Sequence, residues 1–347
     1  MTMRKVTIDD IARVSNASPT TVSLVLRDKP GIGVETRERV LAAAQELGYR
    51  RRTARANDEE RSHMTVALLF RTRTRSVEDS MPGVNPFYSW VLTGLEASAR
   101  GKRMNLLYGT LPVDDRNEVT DMPTHILSQS LDGALVVGPF ADQTLDTILG
   151  SCGFPLVLVD APAIPRRFDV VASDNVDGAR IAVHHLIGLG HRNIGLIAPE
   201  ESADPNFHQR AEGYERAIRD AGLLSQQGRY VNGDIAAEVS RFLQLHPNVT
   251  ALFCVNDFCA MSAIKVAIGE GRRIPETLSV VGFDDIDQSR QSMPALTTMA
   301  VDKVGMGRRA VEVLDFRISW PEAATTVTTL LPRLVIRESS GPPARIE

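Results

Sequence analysis

Several apolar, strand-like runs end on acids or amides. Asp160 follows LVLV, Asp174 follows VVAS, Asp234 follows YVNG, Asn256-Asp257 follow LFCV, and Asp284-Asp285 follow VVGF. A carboxylate accepts hydrogen bonds from hydroxyls and amines. In open parallel sheets a ligand sits beyond the carboxyl ends of the strands. Acids gathered there would build a cleft for a polyhydroxyl or amine ligand. The same side chains could instead cap the helices that follow, and roughly half are expected to do so. Arg210 adds a planar guanidinium suited to paired hydroxyls or a carboxylate; Glu212 and Glu215 offer it a surface ion pair instead. His184-His185 and His191 have no ligand set around them, and adjacent helix positions point apart, so no metal site is expected. Gly188, Gly190 and Gly195 lie between a helix and the strand after it, the reverse of a dinucleotide loop. With no nucleophile–base pair and no metal set at motif level, the expectation is a binding protein without a cofactor, not an enzyme.

A second constellation lies at the N-terminus, VTIDDIARVSNASPTTVSLVL (Val6–Leu26). Thr7 is placed to cap a first helix with Ile8, Ile11, Ala12 and Val14 on one stripe. Asn16-Ala17-Ser18 makes a break, where Asn tolerates left-handed backbone. Ser18 caps a second helix, Pro19 occupies its first turn, and Val22, Val25 and Leu26 face inward. Pro19, Thr20, Thr21, Ser23 and Leu24 stay at or near the outer face. This is the helix-turn-helix pattern, although an ordinary helical hairpin has the same outline. Arg27 and Lys29 follow in a loop within reach of phosphates. TRERVLAAAQEL (Thr36–Leu47) reads as a third helix, with Val40, Leu41, Ala44 and Leu47 on one stripe and Gly48 as its stop.

The charge split agrees with that picture. Residues 1–55 carry a formal +5 and the remainder −9. A basic head on an acidic body suits nucleic-acid contact through the head alone. The 347 residues, 43% hydrophobic and 24% charged, suit a soluble protein of two or three compact units. No membrane span or apolar signal core is visible. Cys152, Cys254 and Cys259 are scattered, which suggests free thiols in a reducing cytoplasm.

Arg50 to Met64, RRRTARANDEERSHM, is polar, charge-rich and aperiodic, and reads as a linker. Beyond it, short Val/Ile/Leu runs alternate with helices: Val66–Phe70, Asn105–Gly109, Gly133–Val137, Leu156–Val159, Ile194–Ile197, Ala251–Val255 and Leu278–Gly282, with Val170–Ser173 and Thr298–Val301 as shorter candidates. Such runs signal parallel sheets covered on both faces. Their number calls for two doubly wound lobes.

The head, VTIDDIARVSNASPTTVSLVL followed by PGIGVETRERVLAAAQELGY (Pro30–Tyr49), closely resembles that of the lactose-repressor-type (LacI/GalR) transcription regulators. The body resembles that family's periplasmic-binding-protein-like effector domain, through NPFYSWVLTGLE, DNVDGARIAVHHLIGLGHRNIGLI, QRAEGYERAI, NDFCAMSAIKV, LSVVGFDD and PALTTMAVDKVGMGRRAV. The resemblance implies an all-α helix-turn-helix head at 1–49, a hinge at 50–63, a two-lobed α/β body at 64–337 and a tail at 338–347. The first lobe would take 64–172 and 300–326, the second 173–298 and 327–337. It implies a homodimeric repressor on near-palindromic double-stranded operator DNA, controlled by a small effector. Pro19, Thr20 and Leu24 would read bases, and Thr21 and Ser23 would bind phosphate, alongside Thr7, Ser18, Arg27 and Lys29. Leucine cannot hydrogen-bond a base edge and could only touch a thymine methyl, so Leu24 implies an unusual operator preference. The family's hinge wedges a leucine into the minor groove. The wedge position falls near Asp58, with only Ala54 and Ala56 as nearby apolar residues, so weaker bending is expected. Arg50, Arg51, Arg52 and Arg55 could bind phosphate or a narrow minor groove instead. Arg210 would grip the effector, with Asp284, Asn256, Asp257, Asp160 and Phe87 or Tyr88 around it. Ile235 matches a position often holding an aromatic platform, and Arg71–Val84 could line the cleft mouth. A carbohydrate or polyol is the expected effector and a nucleobase or nucleoside the alternative. A solute-binding or enzymatic protein with an incidental helical head is the competing class.

Overall fold

The computed structural model describes residues 8–26, 32–46, 63–73, 85–114, 116, 118–127, 129–140, 145, 154–161, 168–200, 204–230 and 234–344. The chain forms two units, Met1–Arg61 and Ser62–Glu347.

In the first unit, α1 (Ile8–Ser15), α2 (Pro19–Leu26) and α3 (Val34–Glu46) enclose a small core of Ile11, Ala12, Val22, Val25, Val40, Ala43 and Ala44. Asn16 takes φ +51° at the break. The Ser18 hydroxyl accepts from Thr21 N at 3.0 Å, and its carbonyl accepts from Val22 N at 2.9 Å. Ser18 therefore caps α2, as the sequence implies. Two stripe assignments are corrected. Val14 and Leu41 are exposed, because the inward faces run through Ile11, Ala12 and Ser15 on α1 and through Val40, Ala43 and Ala44 on α3. The Ser15 hydroxyl can be buried because it donates to Ile11 O at 2.7 Å. Thr7, the Arg27–Gly31 loop, Leu47, Gly48 and the hinge residues 50–62 lie outside the described residues.

The second unit runs β1 (Met64–Arg73), α4 (Pro86–Gly101), β2 (Met104–Val113), α5 (Thr124–Leu127), β3 (Gly133–Val137), β4 (Leu156–Val159), β5 (Asp169–Ser173), α6 (Asn175–Gly188), β6 (Ile194–Pro199), α7 (Pro205–Asp220), β7 (Gln226–Tyr230), α8 (Ile235–Leu245), β8 (Ala251–Cys254), α9 (Asp257–Gly269), β9 (Ser279–Asp284), α10 (Asp287–Gln291), β10 (Thr297–Ala300), α11 (Lys303–Ser319), β11 (Val327–Leu330) and β12 (Arg333–Val335). Two six-stranded sheets result, ordered β11-β5-β4-β3-β1-β2 and β12-β10-β9-β8-β6-β7. All pairings among them are parallel except β10 with β12. Strands β3, β4 and β8 are buried throughout, which explains their unbroken apolar runs.

The lobe boundary differs from the expected one at the third crossing. Residues 327–330 join the first sheet, with Val327 opposite Val170, and only β12 reaches the second. The buried Asp169 carboxylate draws the chain back: it accepts from Arg317 Nε at 2.7 Å and from Thr326 N at 2.8 Å. Strands β7, β11 and β12 are polar or very short, so no apolar run announced them. The start of the expected tail is structural too. Ser339 is buried, donates to Val280 O at 2.6 Å and accepts from Thr297 N at 2.8 Å. His191 is fully buried against Thr250, Ser279 and Gly341 O, and His185 meets Ser340. The histidines thus fasten the C-terminal segment to the second lobe. Cys254 and Cys259 are buried free thiols. Among the described residues no group of His, Cys, Asp or Glu could hold a metal, and no helix is long and apolar enough to cross a membrane.

Candidate ligand-binding site

The carboxyl ends of the two sheets face each other across a cavity of about 260 Å³, at the small end of ligand clefts, which run to roughly 300–1,000 Å³. Two helices of similar start open onto it. In α4, Asn85 precedes Pro86 and its side chain accepts from Phe87 N at 2.9 Å. In α7, Asp204 precedes Pro205 and accepts from Asn206 N at 2.9 Å. Proline in the first turn loses no helical hydrogen bond, and each cap leaves its helix N-terminus toward the cavity. Phe87 and Tyr88 enter the wall from α4, and Asn206, Phe207 and Arg210 from α7.

Arg210 is buried at the floor, not paired on the surface with Glu212 or Glu215. Its Nε donates to Asn175 Oδ1 at 2.9 Å and a terminal nitrogen donates to Val255 O at 2.8 Å. The other terminal nitrogen lies 3.0 Å from Asp284 Oδ1, an ion pair without hydrogen-bond alignment. The guanidinium also sits 4.0 Å from the Phe283 ring centroid, a cation–π contact. Asp284 ends β9 with φ +113°, followed by Asp285 at +52°. Non-glycine residues rarely adopt such backbone and need support to do so. Lys303, reaching from α11, donates its Nζ to the carbonyls of both, the one of Asp285 at 3.0 Å. This holds the turn that presents Asp284 to Arg210. Burial drives the Asp284 carboxyl above its usual range, opposed by Arg210 and Lys303. Burial lowers Lys303, opposed by Asp284 and Asp285.

Asp160, also at positive φ, directly follows β4. Its Oδ2 accepts from Tyr88 OH at 3.0 Å, while Oδ1 is buried with no hydrogen-bond partner among the described residues. Burial and then the neighbouring Asp204 carboxylate lift this acid to about 7, against Arg210 and Tyr88. The Asp160 carbonyl accepts from Asn206 Nδ2 at 3.2 Å, which bridges the two lobes. Trp90 Nε1 donates to Asp287 Oδ2 at 3.2 Å, a second bridge.

Of the sequence-derived candidates, Phe87, Tyr88, Asp160, Arg210, Asn256 and Asp284 converge on the cavity, and Arg71 joins them. Two do not. Asp257 is fully buried behind Asn256, where it accepts from Ile286 N at 2.9 Å and from the Thr298 hydroxyl. The first turn of α9 points it into the lobe, away from the opening. Ile235 packs on the apolar cluster beneath α8, since Asp234 has already turned the chain into that helix. Asp174, Asp234 and Asn256 cap α6, α8 and α9, so capping accounts for about half of the strand-end groups. Phe70, Asn85, Asp204, Asn206, Phe207, Phe258 and Ile286 complete the lining without having been singled out. The paired Asx-Pro starts, Asn85-Pro86 and Asp204-Pro205, were the signal available for some of these.

In the head, Ser18 and Pro19 are exposed and Thr21 is half-buried against the Ser18 hydroxyl at 2.8 Å. Thr20, Ser23 and Leu24 lie on α2, the second helix of the turn. Arg27, Lys29, Arg50, Arg51, Arg52 and Arg55 fall outside the described residues.

Residues 7–52 match "Bacterial regulatory proteins, lacI family", and residues 183–340 match "Periplasmic binding protein-like domain". The chain is 29% identical over 343 residues to the HTH-type transcriptional repressor PurR of Pasteurella multocida, covering 96% of this chain and 98% of that protein. It is 29% identical over 344 residues to the HTH-type transcriptional repressor CytR of Escherichia coli K12, covering 96% of each. Among solved structures it is similar to the transcriptional regulator CelR in complex with cellobiose, at TM-score 0.68 and 26% identity, covering 96% of this chain and 99% of that one.

Proposed function

We propose, for a chain that belongs to the lacI family of bacterial regulatory proteins and is a transcriptional repressor with a ligand-binding body, that its operator affinity is set by a small polyhydroxylated effector, a sugar or related polyol. The observation that carries this reading is the polar floor of the cleft. Arg210 and Asp284 are held side by side as an ion pair, and Asp160 keeps a buried carboxylate oxygen that no group among the described residues hydrogen-bonds. A ligand bearing several hydroxyls can donate to both acids and accept from the guanidinium. The cellobiose in the similar CelR structure supports the same class. A nucleoside is the second reading, favoured by the aromatic wall of Phe70, Phe87, Tyr88, Phe207 and Phe258, which offers faces for base stacking.

The lobes are joined by three crossings and bridged by Asn206–Asp160 and Trp90–Asp287. An effector seated between Arg210 and Asp160 contacts both lobes and so shifts their relative closure. Coupled to the hinge and the α2 surface, that shift changes DNA affinity, and DNA must change effector affinity by the same factor. The protein acts as a cytoplasmic homodimer on a near-palindromic operator, one head per half-site, and needs no catalytic group or cofactor. Ser18, Pro19, Thr20, Thr21, Ser23 and Leu24 meet the DNA, with Thr7, Arg27, Lys29 and the hinge arginines on phosphate.

Two measurements test this. Intact chain should retard duplex DNA in a salt-sensitive manner, and a chain lacking residues 1–61 should not. That truncated chain should still be stabilised by the effector found in a thermal-shift screen of sugars, polyols and nucleosides. DNA retardation that survives the deletion would refute the assignment of the head, and a screen in which nucleosides alone bind would replace the sugar reading.

A further inference from the structure

We propose that the effector presents a positively charged nitrogen to Asp160, making the ligand an amine-bearing polyol rather than a neutral sugar. This deepens the effector reading above and rests on it. Every other polar group of Asp160 is occupied. Its N–H donates to Val171 O at 2.9 Å, its carbonyl accepts from Asn206, and Oδ2 accepts from Tyr88 OH. Among the described residues Oδ1 alone is left without a partner, on a residue 4% exposed and set in the cavity wall. A buried carboxylate oxygen is costly unless a donor, best a charged one, reaches it.

The charge of the cavity points the same way. Its acids are Asp160, Asp204 and Asp284; its cations are Arg71 and Arg210. Among the described lining residues, with all ionised, acids outnumber cations by one, and Lys303 behind Asp284 offsets that acid rather than Asp160. Arg210 is committed to Asp284, Asn175 and Val255. A monocation at Asp160 meets a carboxylate that Arg210 does not pair, whereas a phosphorylated sugar or a sugar acid is repelled there. Tyr88, whose hydroxyl bonds the acid, adds an aromatic ring to the wall beside it.

A hydroxyl of a neutral ligand can donate to the carboxylate or accept from the protonated acid, so its affinity changes little with pH; a cation needs the ionised form, so its affinity climbs. The groups facing Asp160 are Tyr88 on its own lobe, Asp204 and Arg210 from α7, and Asp284 from β9; Arg71 faces Tyr88. With Asp160 at about 7, cation affinity should tighten about fifteenfold between about pH 5.5 and about pH 7.

The test is calorimetric titration of the full chain with glucosamine, galactosamine and mannosamine, with the parent hexoses, with the N-acetylated forms, and with nucleosides. The expected result is tighter binding of an amine than of its parent and acetylated form, strengthening with pH. Asp160→Asn should abolish that preference. Should that variant not fold, Tyr88→Phe serves: losing the hydroxyl that holds Asp160 down should move the pH midpoint upward while the preference remains. Parent hexoses binding as tightly as the amines, or affinity falling with pH, would overturn the inference and leave the sugar reading standing. Binding of nucleosides alone, or of no sugar in the series, would overturn both.

Discussion

Replacing Asp257 by asparagine should flatten the pH dependence of stability and leave ligand binding intact. Asp257 is fully buried, and burial with the nearby Asp284 charge lifts its carboxyl to about 8. In the protonated acid one oxygen accepts from Ile286 N and the other shares a proton with the Thr298 hydroxyl. An asparagine amide reproduces both contacts: its carbonyl takes the Ile286 N–H and its NH2 donates to Thr298 Oγ1. The variant should therefore cost no more than about 1 kcal/mol near pH 6. The carboxyl holds its proton more tightly folded than unfolded, so stability falls as pH rises from the unfolded value toward the folded one. Over about pH 6 to 8 this group alone should cost the wild type about 2 kcal/mol, at roughly 1.4 kcal/mol per unit below the folded value. Asparagine removes that loss. Asp160 and Asp284, also raised, keep a residual slope. Urea unfolding followed by fluorescence reads the body directly, since Trp90 and Trp320 are the chain's two tryptophans. An unchanged difference between pH 6 and 8 in the variant would refute the argument. Effector affinity should stay within about twofold, and a tenfold loss would return Asp257 to the ligand contacts.

Arg210→Ala should leave Asp284 as a buried charge without its cation, costing about 3–5 kcal/mol, and should abolish effector-induced thermal stabilisation; a retained stabilisation would displace Arg210 from the site. Gly307→Ala tests the contact that seats Lys303, because α11 packs against α4 through glycines. A Cβ at Gly307 would lie 2.2 Å from Val91 O and 2.6 Å from Leu95 N, both backbone atoms of α4. The helices must then part, at about 1–3 kcal/mol, whereas Gly101→Ala, with nothing near its Cβ, should unfold with the wild type.

What the chain order alone settles is local. Ser18 at a helix start, Asn16 at a left-handed break and the buried parallel strands follow from capping geometry, backbone sterics and apolar runs, all visible within a few residues. The helix-turn-helix outline, the two-lobed α/β body and the placing of Asp160 and Asp284 at strand ends were legible for that reason, whereas Arg210 was singled out through the family resemblance. Tertiary structure decided which of two neighbouring acids faces the cavity. Asn256 opens onto it while Asp257 is turned inward, and Asp284 meets Arg210 while Asp285 pairs with Arg290 and Arg337. It also decided that 327–330 return to the first sheet, a choice made by Asp169 and Arg317, 148 positions apart. Periodicity records which face a side chain prefers, but charge pairs and strand edges find partners only once distant segments meet in space.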